Sequence, residues 1–164
     1  MKVQKSTVYS LFYGILVFIF SIYVIPHYIY SDQQYYRLAY ENCFEKVSDI
    51  KDELLCYSNY TGSKEPGYVV LAKLAQLITS KDIFISFANS VFAFFVSKLV
   101  FRYHKRVWYR NIFILLILFN FYSFVLYFSA ERLKFGLLFL LISFYFFALY
   151  TTNFTEPLSY QGSA

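Results

Sequence analysis

One uncharged stretch near the start constrains this chain more than any other feature. No Asp, Glu, Lys or Arg lies between Lys5 and Asp32, and apolar and aromatic side chains dominate the interval. A helix needs about 20 apolar residues to cross a hydrocarbon core of about 30 Å. The stretch therefore predicts a membrane-spanning helix over residues 7–25. It ends without the small-residue cleavage site of a signal peptide, so we expect it to be retained.

Three further apolar runs, at 83–101, 111–130 and 135–152, are long enough for the same interpretation. With 59% hydrophobic and only 15% charged residues, a soluble domain of 164 residues would not bury its apolar surface. Lys98 interrupts the second run, but its long stem can reach the headgroups. The fold class predicted is an all-α integral membrane protein with about four transmembrane helices in one membrane domain, 1–164.

The distribution of Lys and Arg predicts the orientation. Basic residues precede the first span and fill the connection between the second and third: Lys2, Lys5, Arg102, Lys105, Arg106 and Arg110. Such residues favour the cytoplasmic side, which puts the N-terminus inside and the long loop 31–81 and the turn 129–134 outside. The basic, aromatic segment 102–110 is then a membrane anchor, and no nucleic-acid partner is expected.

Eight of the ten acidic residues lie between Asp32 and Asp82, in the outer loop and at its end, so we expect function there. Within it, residues 67–78 place apolar side chains on one helical face, and Glu65 and Pro66 precede them as a helix start. This pattern predicts an interfacial helix in the outer leaflet. Cys43 and Cys56 permit one disulfide at most, and the sequence leaves open whether it forms.

Asp32, Tyr36 and Tyr40 are spaced to share one helical face where the first span emerges. A partly desolvated carboxylate there is suited to take a proton from a sugar hydroxyl, and tyrosines offer stacking faces for pyranose rings. The alternative is that Asp32 marks the water boundary and the tyrosines are ordinary interfacial residues.

A second polar cluster follows the third span: Glu131, Arg132 and Lys134 in a short outer turn. An arginine at the membrane surface suits bidentate recognition of phosphate, and the alternative is a salt-bridged turn. Glu65 is a second candidate acid or a ligand for a bound cation, or only a charge at a helix start. No metal site or cofactor is predicted, because no His/Cys set has zinc spacing, and a divalent cation requirement stays open.

Taken in order, Asp32, Tyr36 and Tyr40 after the first span, the run Glu65-Pro66-Gly67-Tyr68, and Arg132 in a later turn resemble the EpsG family of Wzy-like polysaccharide polymerases. The resemblance covers residues 8–147 and corresponds to the N-terminal part of a typical family member. We therefore expect a fragment or short form that is inactive alone. Three positions depart from the family pattern: Gln33, Leu133 and Gly136.

The resemblance implies a bacterial inner-membrane enzyme that joins O-antigen or exopolysaccharide repeat units carried on undecaprenyl pyrophosphate, with a fold similar to GT-C glycosyltransferases. Asp32 would be the general base, Arg132 would stabilise the departing pyrophosphate, and Glu65 would orient the sugar or the loop. The remaining candidates would bind substrate: Tyr36, Tyr40, Tyr68 and Lys134. Implied partners are the lipid-linked oligosaccharide, membrane lipid, and a chain-length regulator or a missing C-terminal half.

A different class of function is a small non-enzymatic membrane protein that assists an envelope polysaccharide assembly complex, with Phe-rich spans packed against larger partners. A transporter subunit would place polar residues along a conduit at mid-membrane, and only Asn89 and Asn120 approach that pattern.

Overall fold

The computed structural model describes residues 5–30, 32–44, 49–62, 64–104 and 106–159, without the side chains of 107 and 152–159. The described residues form helices joined by short turns and connections, without a β-strand. Its helices are α1 (Lys5–Val24), α2 (Asp32–Ala39), α3 (Ile50–Thr61), α4 (Pro66–Gln76), α5 (Lys81–Tyr103), α6 (Val107–Leu118), α7 (Phe121–Phe128) and α8 (Glu131–Ser159). A 3₁₀ turn (Ile25–His27) follows α1, and a π-helical turn (Tyr40–Phe44) follows α2.

Within the described residues, three helical segments are long and apolar enough to cross a membrane: Lys5–His27, Lys81–Tyr103 and Glu131–Thr151. A fourth crossing exists if the bent pair of α6 and α7 counts as one span. This confirms the all-helical class with three or four candidate spans. Of the residues behind the predicted orientation, Lys2 and Lys105 lie outside the described chain, as does Ser31, where the predicted loop begins.

The third span differs from its prediction as one uninterrupted helix over 111–130. The axis bends by 50° between α6 and α7. At the break, Asn120 accepts a hydrogen bond from the Ser123 backbone N–H at 2.9 Å and donates to the carbonyls of Leu116 and Ile117. An Asn side chain that bonds to nearby backbone groups competes with the helical pattern, which explains a break in an apolar run.

Small side chains bring α1 and α5 together along their length. Ser10, Gly14 and Ser21 of α1 are buried, as are Ser86 and Ala93 of α5. A Cβ atom on Gly14 would lie 3.2 Å from the carbonyl oxygen of Ser90. Close backbone approach through small residues is a common way for helices to pack in lipid, where no hydrophobic force draws them together.

The described residues between 32 and 80, which we call the cap, pack at the end of the bundle where α5 and α8 begin. Arg37 joins the two layers, because its guanidinium donates to the carbonyl of Ile25 at 2.9 Å and pairs with Asp82 at 3.0 Å. Lys73 of α4 likewise pairs with the buried Glu53 of α3. These links fix the cap helices to each other and to the spans.

The sequence predicted irregular chain in the second part of the cap, and the structure has α3 there instead. Asp49 caps this helix at its start, and Gly62 ends it with φ = 67°, a left-handed conformation that favours glycine. A disulfide between Cys43 and Cys56 ties α3 to the π-helical turn. Helix α3, whose helical pattern in the sequence is weak, is thus held by a disulfide that the two cysteines allowed but did not predict.

Helix α4 coincides with the predicted interfacial helix, although it ends at Gln76. Its Tyr68 and Ala72 are buried, while Val70 and Leu74 are exposed. The exposed apolar surface continues into the following turn, where Ile78 is 88% exposed. An apolar face turned away from the protein is typical of a helix that lies against lipid.

Candidate functional site

Three of the predicted site residues meet on one side of the cap, although they belong to separate elements. The Arg132 Nε donates to the hydroxyl oxygen of Tyr36 at 2.9 Å, and its Nη1 lies 3.4 Å from the Glu65 carboxylate. Arg132 sits in the first turn of α8, Tyr36 on α2, and Glu65 directly before α4. One guanidinium therefore connects the cap to the start of the last span.

Arg132 lies between two cavities of different character. The first, of about 60 Å³, is polar, and its wall includes Asp32, Tyr35 and Tyr36. The second is a groove of about 480 Å³ whose wall is mostly apolar and includes Leu74 and Phe139. The arginine thus presents a positive charge where a polar pocket and an apolar groove adjoin.

Asp32 is the first residue of α2 and is exposed, so the helix start holds it at the mouth of the small cavity. Glu65 and Tyr68 line the apolar groove at the start of α4. The structure therefore brings four of the other predicted site residues around Arg132: Asp32, Tyr36, Glu65 and Tyr68.

A cluster of buried tyrosines supports this arrangement. The rings of Tyr36, Tyr57 and Tyr68 pack on one another with centroids 5.9–6.5 Å apart. The hydroxyl of Tyr40 lies 3.5 Å from that of Tyr68. Burial is the main cause that raises the pKa of all four hydroxyls above their ordinary value. They remain protonated at neutral pH, so none of them acts as a base, and the hydroxyl of Tyr57 has no hydrogen-bond partner among the described residues.

Below the tyrosines lies a buried ion pair that the sequence analysis did not predict. Lys81 Nζ lies 2.8 Å from a carboxylate oxygen of Glu131, and the two side chains are 8% and 0% exposed. Lys81 also donates to the amide oxygen of Gln33 at 2.6 Å, and Tyr68 donates to Glu131 at 2.6 Å. Hydrogen bonds of this kind offset the cost of removing both charges from water. Through the hydrogen bond to Glu131, the ion pair fixes the position of the Tyr68 hydroxyl.

Lys134 lies elsewhere. Its side chain is fully buried and donates to the backbone carbonyl of Tyr127 at 2.8 Å. It lines neither of the cavities beside Arg132. Helix α8 begins at Glu131, four residues before the predicted span, so Lys134 is already part of the helix. Its side chain points away from that of Arg132 because successive helical residues point in different directions. Where the sequence suggested one polar turn, the helix turns Arg132 outward and Glu131 and Lys134 inward.

Three residues that support the site were not predicted from the sequence: Gln33, Tyr57 and Lys81. Tyr57 follows one of the two cysteines, and this was the one local hint that its helix is held in place. Gln33 and Lys81 are polar residues next to predicted boundaries, where such residues are common. In the part of the chain that the structure describes, no group of three or more His, Cys, Asp or Glu side chains is arranged to hold a metal ion.

The fold and the site describe a helical protein with several helices long and apolar enough for a multi-pass membrane protein, carrying a polar, aromatic cluster at one end of its bundle. Comparison of the chain with protein-family models, with curated proteins and with solved structures finds no match.

Proposed function

We propose that this protein is a polysaccharide polymerase, or a short form of one, that joins saccharide repeat units carried on undecaprenyl pyrophosphate at the periplasmic face of the bacterial inner membrane. The observation that carries the proposal is the position of Arg132 between the polar pocket of Asp32 and an apolar groove. A polyprenyl pyrophosphate sugar has the same order of parts: a lipid tail, a phosphate group and a saccharide.

The groove suits the lipid part of such a substrate. Val70, Leu71 and Leu74 of α4 form one wall and Phe139 of α8 belongs to the other. Its volume of about 480 Å³ falls within the usual range of ligand pockets. Because the exposed face of α4 is itself apolar, an isoprenoid would pass from the bilayer into the groove without crossing polar surface.

The guanidinium of Arg132 suits the phosphate part. Arginine binds phosphate oxygens through parallel N–H donors and keeps its charge at all physiological pH values. Tyr36 and Glu65 hold this side chain at two of its nitrogens, so the fork is oriented before a ligand arrives. Glu65 is 63% exposed, and an incoming pyrophosphate would compete with it for Arg132.

In the proposed reaction, a hydroxyl oxygen of the acceptor sugar forms a bond to the anomeric carbon of the donor sugar. The bond from that carbon to the pyrophosphate oxygen breaks, and its electron pair leaves with the pyrophosphate. Asp32 takes the proton of the attacking hydroxyl as general base, and Arg132 stabilises the charge on the leaving group. Tyr36 and Tyr68 line the two cavities beside Arg132 and would contact the substrate there, while Tyr40 contacts the hydroxyl of Tyr68.

The cap disulfide supports placing the site outside the cytoplasm. Disulfides form and persist in oxidising compartments and are rare in the bacterial cytosol. Cys43 and Cys56 are bonded in the same unit that carries Asp32 and Glu65. The positive charges before α1 and between α5 and α6 favour the same orientation.

The test replaces Asp32 by Asn in the chromosomal gene and separates the surface polysaccharide on a gel. We expect the ladder of long chains to be lost. Asp52→Asn is the matched control, because Asp52 is an exposed acid in the cap that lines neither cavity. An undiminished ladder in the Asp32→Asn strain, with the protein present at its normal level, would remove Asp32 from the mechanism.

The alternative is a non-enzymatic partner in an envelope polysaccharide assembly complex. An open apolar groove of about 670 Å³ between α5 and α8, with Leu99 and Phe144 in its wall, favours this role because it suits a transmembrane helix of a larger protein. In that case substitution of Phe144 by Ala, and not of Asp32 by Asn, would shorten the polysaccharide. The two strains run on one gel separate the alternatives.

A further inference from the structure

A second polar cavity lies on the other side of α2 from Arg132. It has a volume of about 520 Å³ and opens between the end of α2, its π-helical turn and the connection from α4 to α5. Arg37 and Glu41 stand one helical turn apart in its wall, whereas Asp32 and Tyr36 stand one turn apart in the wall of the small cavity by Arg132. Helix α2 therefore separates two cavities.

The wall of this cleft carries hydrogen-bonding groups that the protein itself does not use. Among the described residues, the side chains of Glu41, Gln76, Thr79 and Ser80 make no hydrogen bond or ion pair, and all four line the cleft. They offer a carboxylate, an amide and two hydroxyls, which together donate and accept. A ligand rich in hydroxyl groups would satisfy them.

The charges of the cleft favour a neutral ligand over a phosphate. Arg37 is paired with Asp82, and Lys81 is paired with Glu131 behind the wall, so neither cation is available to an anion. The remaining charge is the carboxylate of Glu41, which repels phosphate. This separates the cleft from the site beside Arg132, where a cation faces an open groove.

The cleft and the apolar groove beside Arg132 lie on opposite sides of a pair of tyrosines. Tyr40 belongs to the wall of the cleft and Tyr68 to the wall of the apolar groove, and their hydroxyl oxygens are 3.5 Å apart. Tyr40 belongs to the π-helical turn after α2 and Tyr68 to α4, so the contact of these two elements lies between the cavities. A ligand in one site and a ligand in the other would be separated by little more than this pair of side chains.

We infer that the cleft binds a neutral stretch of saccharide, namely those sugars of the acceptor repeat unit that lie away from the attacking hydroxyl, which itself is placed beside Asp32. This inference rests on the proposed function, since it assigns the distant sugars of the acceptor to the cleft and leaves the attacking hydroxyl and the pyrophosphate at Asp32 and Arg132. Glu41, Gln76 and Thr79 bind sugar hydroxyls.

The test uses the full chain in lipid nanodiscs and the oligosaccharide released by mild acid from the lipid-linked repeat unit of the source organism. Binding is followed by isothermal titration calorimetry. The variant Gln76→Leu/Thr79→Val keeps the size of both side chains and removes their hydrogen bonds. We expect the dissociation constant to rise about tenfold, as the loss of two or three such bonds implies. The control Gln34→Leu changes an exposed glutamine of α2 outside the cleft and is expected to bind like wild type.

Two further variants make the result unambiguous. Ser80→Trp fills the cleft from an exposed position whose side chain caps no helix, and it is expected to abolish binding. It decides the matter if the double variant fails to fold. Asp32→Asn is expected to bind the oligosaccharide normally while it loses the polysaccharide ladder. Binding that survives Ser80→Trp, or the absence of saturable binding by wild type, would overturn the cleft assignment. An intact ladder with Asp32→Asn would overturn the proposed function instead.

Discussion

Removal of Lys81 tests whether the buried ion pair holds the site together. In wild type, Lys81 and Glu131 are 2.8 Å apart and almost fully buried, and Glu131 also accepts the hydroxyl of Tyr68. The variant Lys81→Met keeps the length of the side chain and leaves the carboxylate without its cation. We expect a large loss of stability, because an uncompensated charge then remains in an apolar interior.

The magnitude follows from the burial. Breaking a buried pair by removing one partner costs about 3–5 kcal/mol, and for a chain of this size each kcal/mol lowers the melting temperature by about 2–4 °C. Lys81→Met is therefore expected to melt about 6–20 °C below wild type. Replacing both partners, as Lys81→Met/Glu131→Gln, removes the stranded charge and is expected to recover most of the loss.

The assay is thermal unfolding of the purified protein in nanodiscs, followed by circular dichroism, for wild type, both single variants and the double variant. Glu65→Gln serves as the control, since the pair of Glu65 with Arg132 is exposed and is expected to contribute about 0–1 kcal/mol. Single effects that add to the double effect within about 0.5 kcal/mol would show that Lys81 and Glu131 do not interact. That result would refute the account of how Tyr68 is held.

Three further predictions follow from the packing. The Cys43–Cys56 disulfide closes a loop of sequence separation 13, so its reduction is expected to destabilise the cap by about 3 kcal/mol. The measurement is denaturant unfolding with and without dithiothreitol, and equal denaturant midpoints under the two conditions would show that the disulfide is not formed. Gly14→Ala is expected to lower the free energy of unfolding by about 1–3 kcal/mol, because the new Cβ would lie 3.2 Å from a backbone carbonyl of α5. Gly67→Ala is the control in the same melting assay, since a Cβ there has no neighbour within 4 Å. Arg132→Lys keeps the charge but loses the fork that contacts two partners, so we expect a shortened polysaccharide ladder with a melting temperature close to wild type. A normal ladder would show that the guanidinium geometry is not needed.

The sequence predicted the long apolar helices well because their length and composition are local properties of the chain. The runs at 7–25 and 83–101 correspond to helices of the structure within a few residues at each end, and a helix is also present where the run 67–78 predicted one. The third run was predicted as straight because hydropathy averages over a window and does not register one Asn. The bend at Asn120 depends on its side-chain hydrogen bonds to the backbone.

The sequence predicted the candidate site only where its residues are close to one another along the chain. The spacing of Asp32 and Tyr36 on one helix is a property of the sequence, and both stand at the same cavity. The contact of Tyr36 with Arg132 joins residues 96 apart, and no periodicity reports on such a pair. Lys134 seemed equivalent to Arg132 by position in the chain, yet the helix turns the two side chains in different directions.

By itself, then, the sequence determined where the chain is apolar enough to span, which short segments are amphipathic, and that the acids gather in one loop. These properties depend on composition and on helical repeat, which are local. Only the tertiary structure decided that Lys81 neutralises Glu131, that Arg132 reaches Tyr36, and that α2 divides two cavities. Those pairings arise from the way the cap seats on the ends of α5 and α8, because charges far apart in sequence pair only when packing brings them together and excludes water.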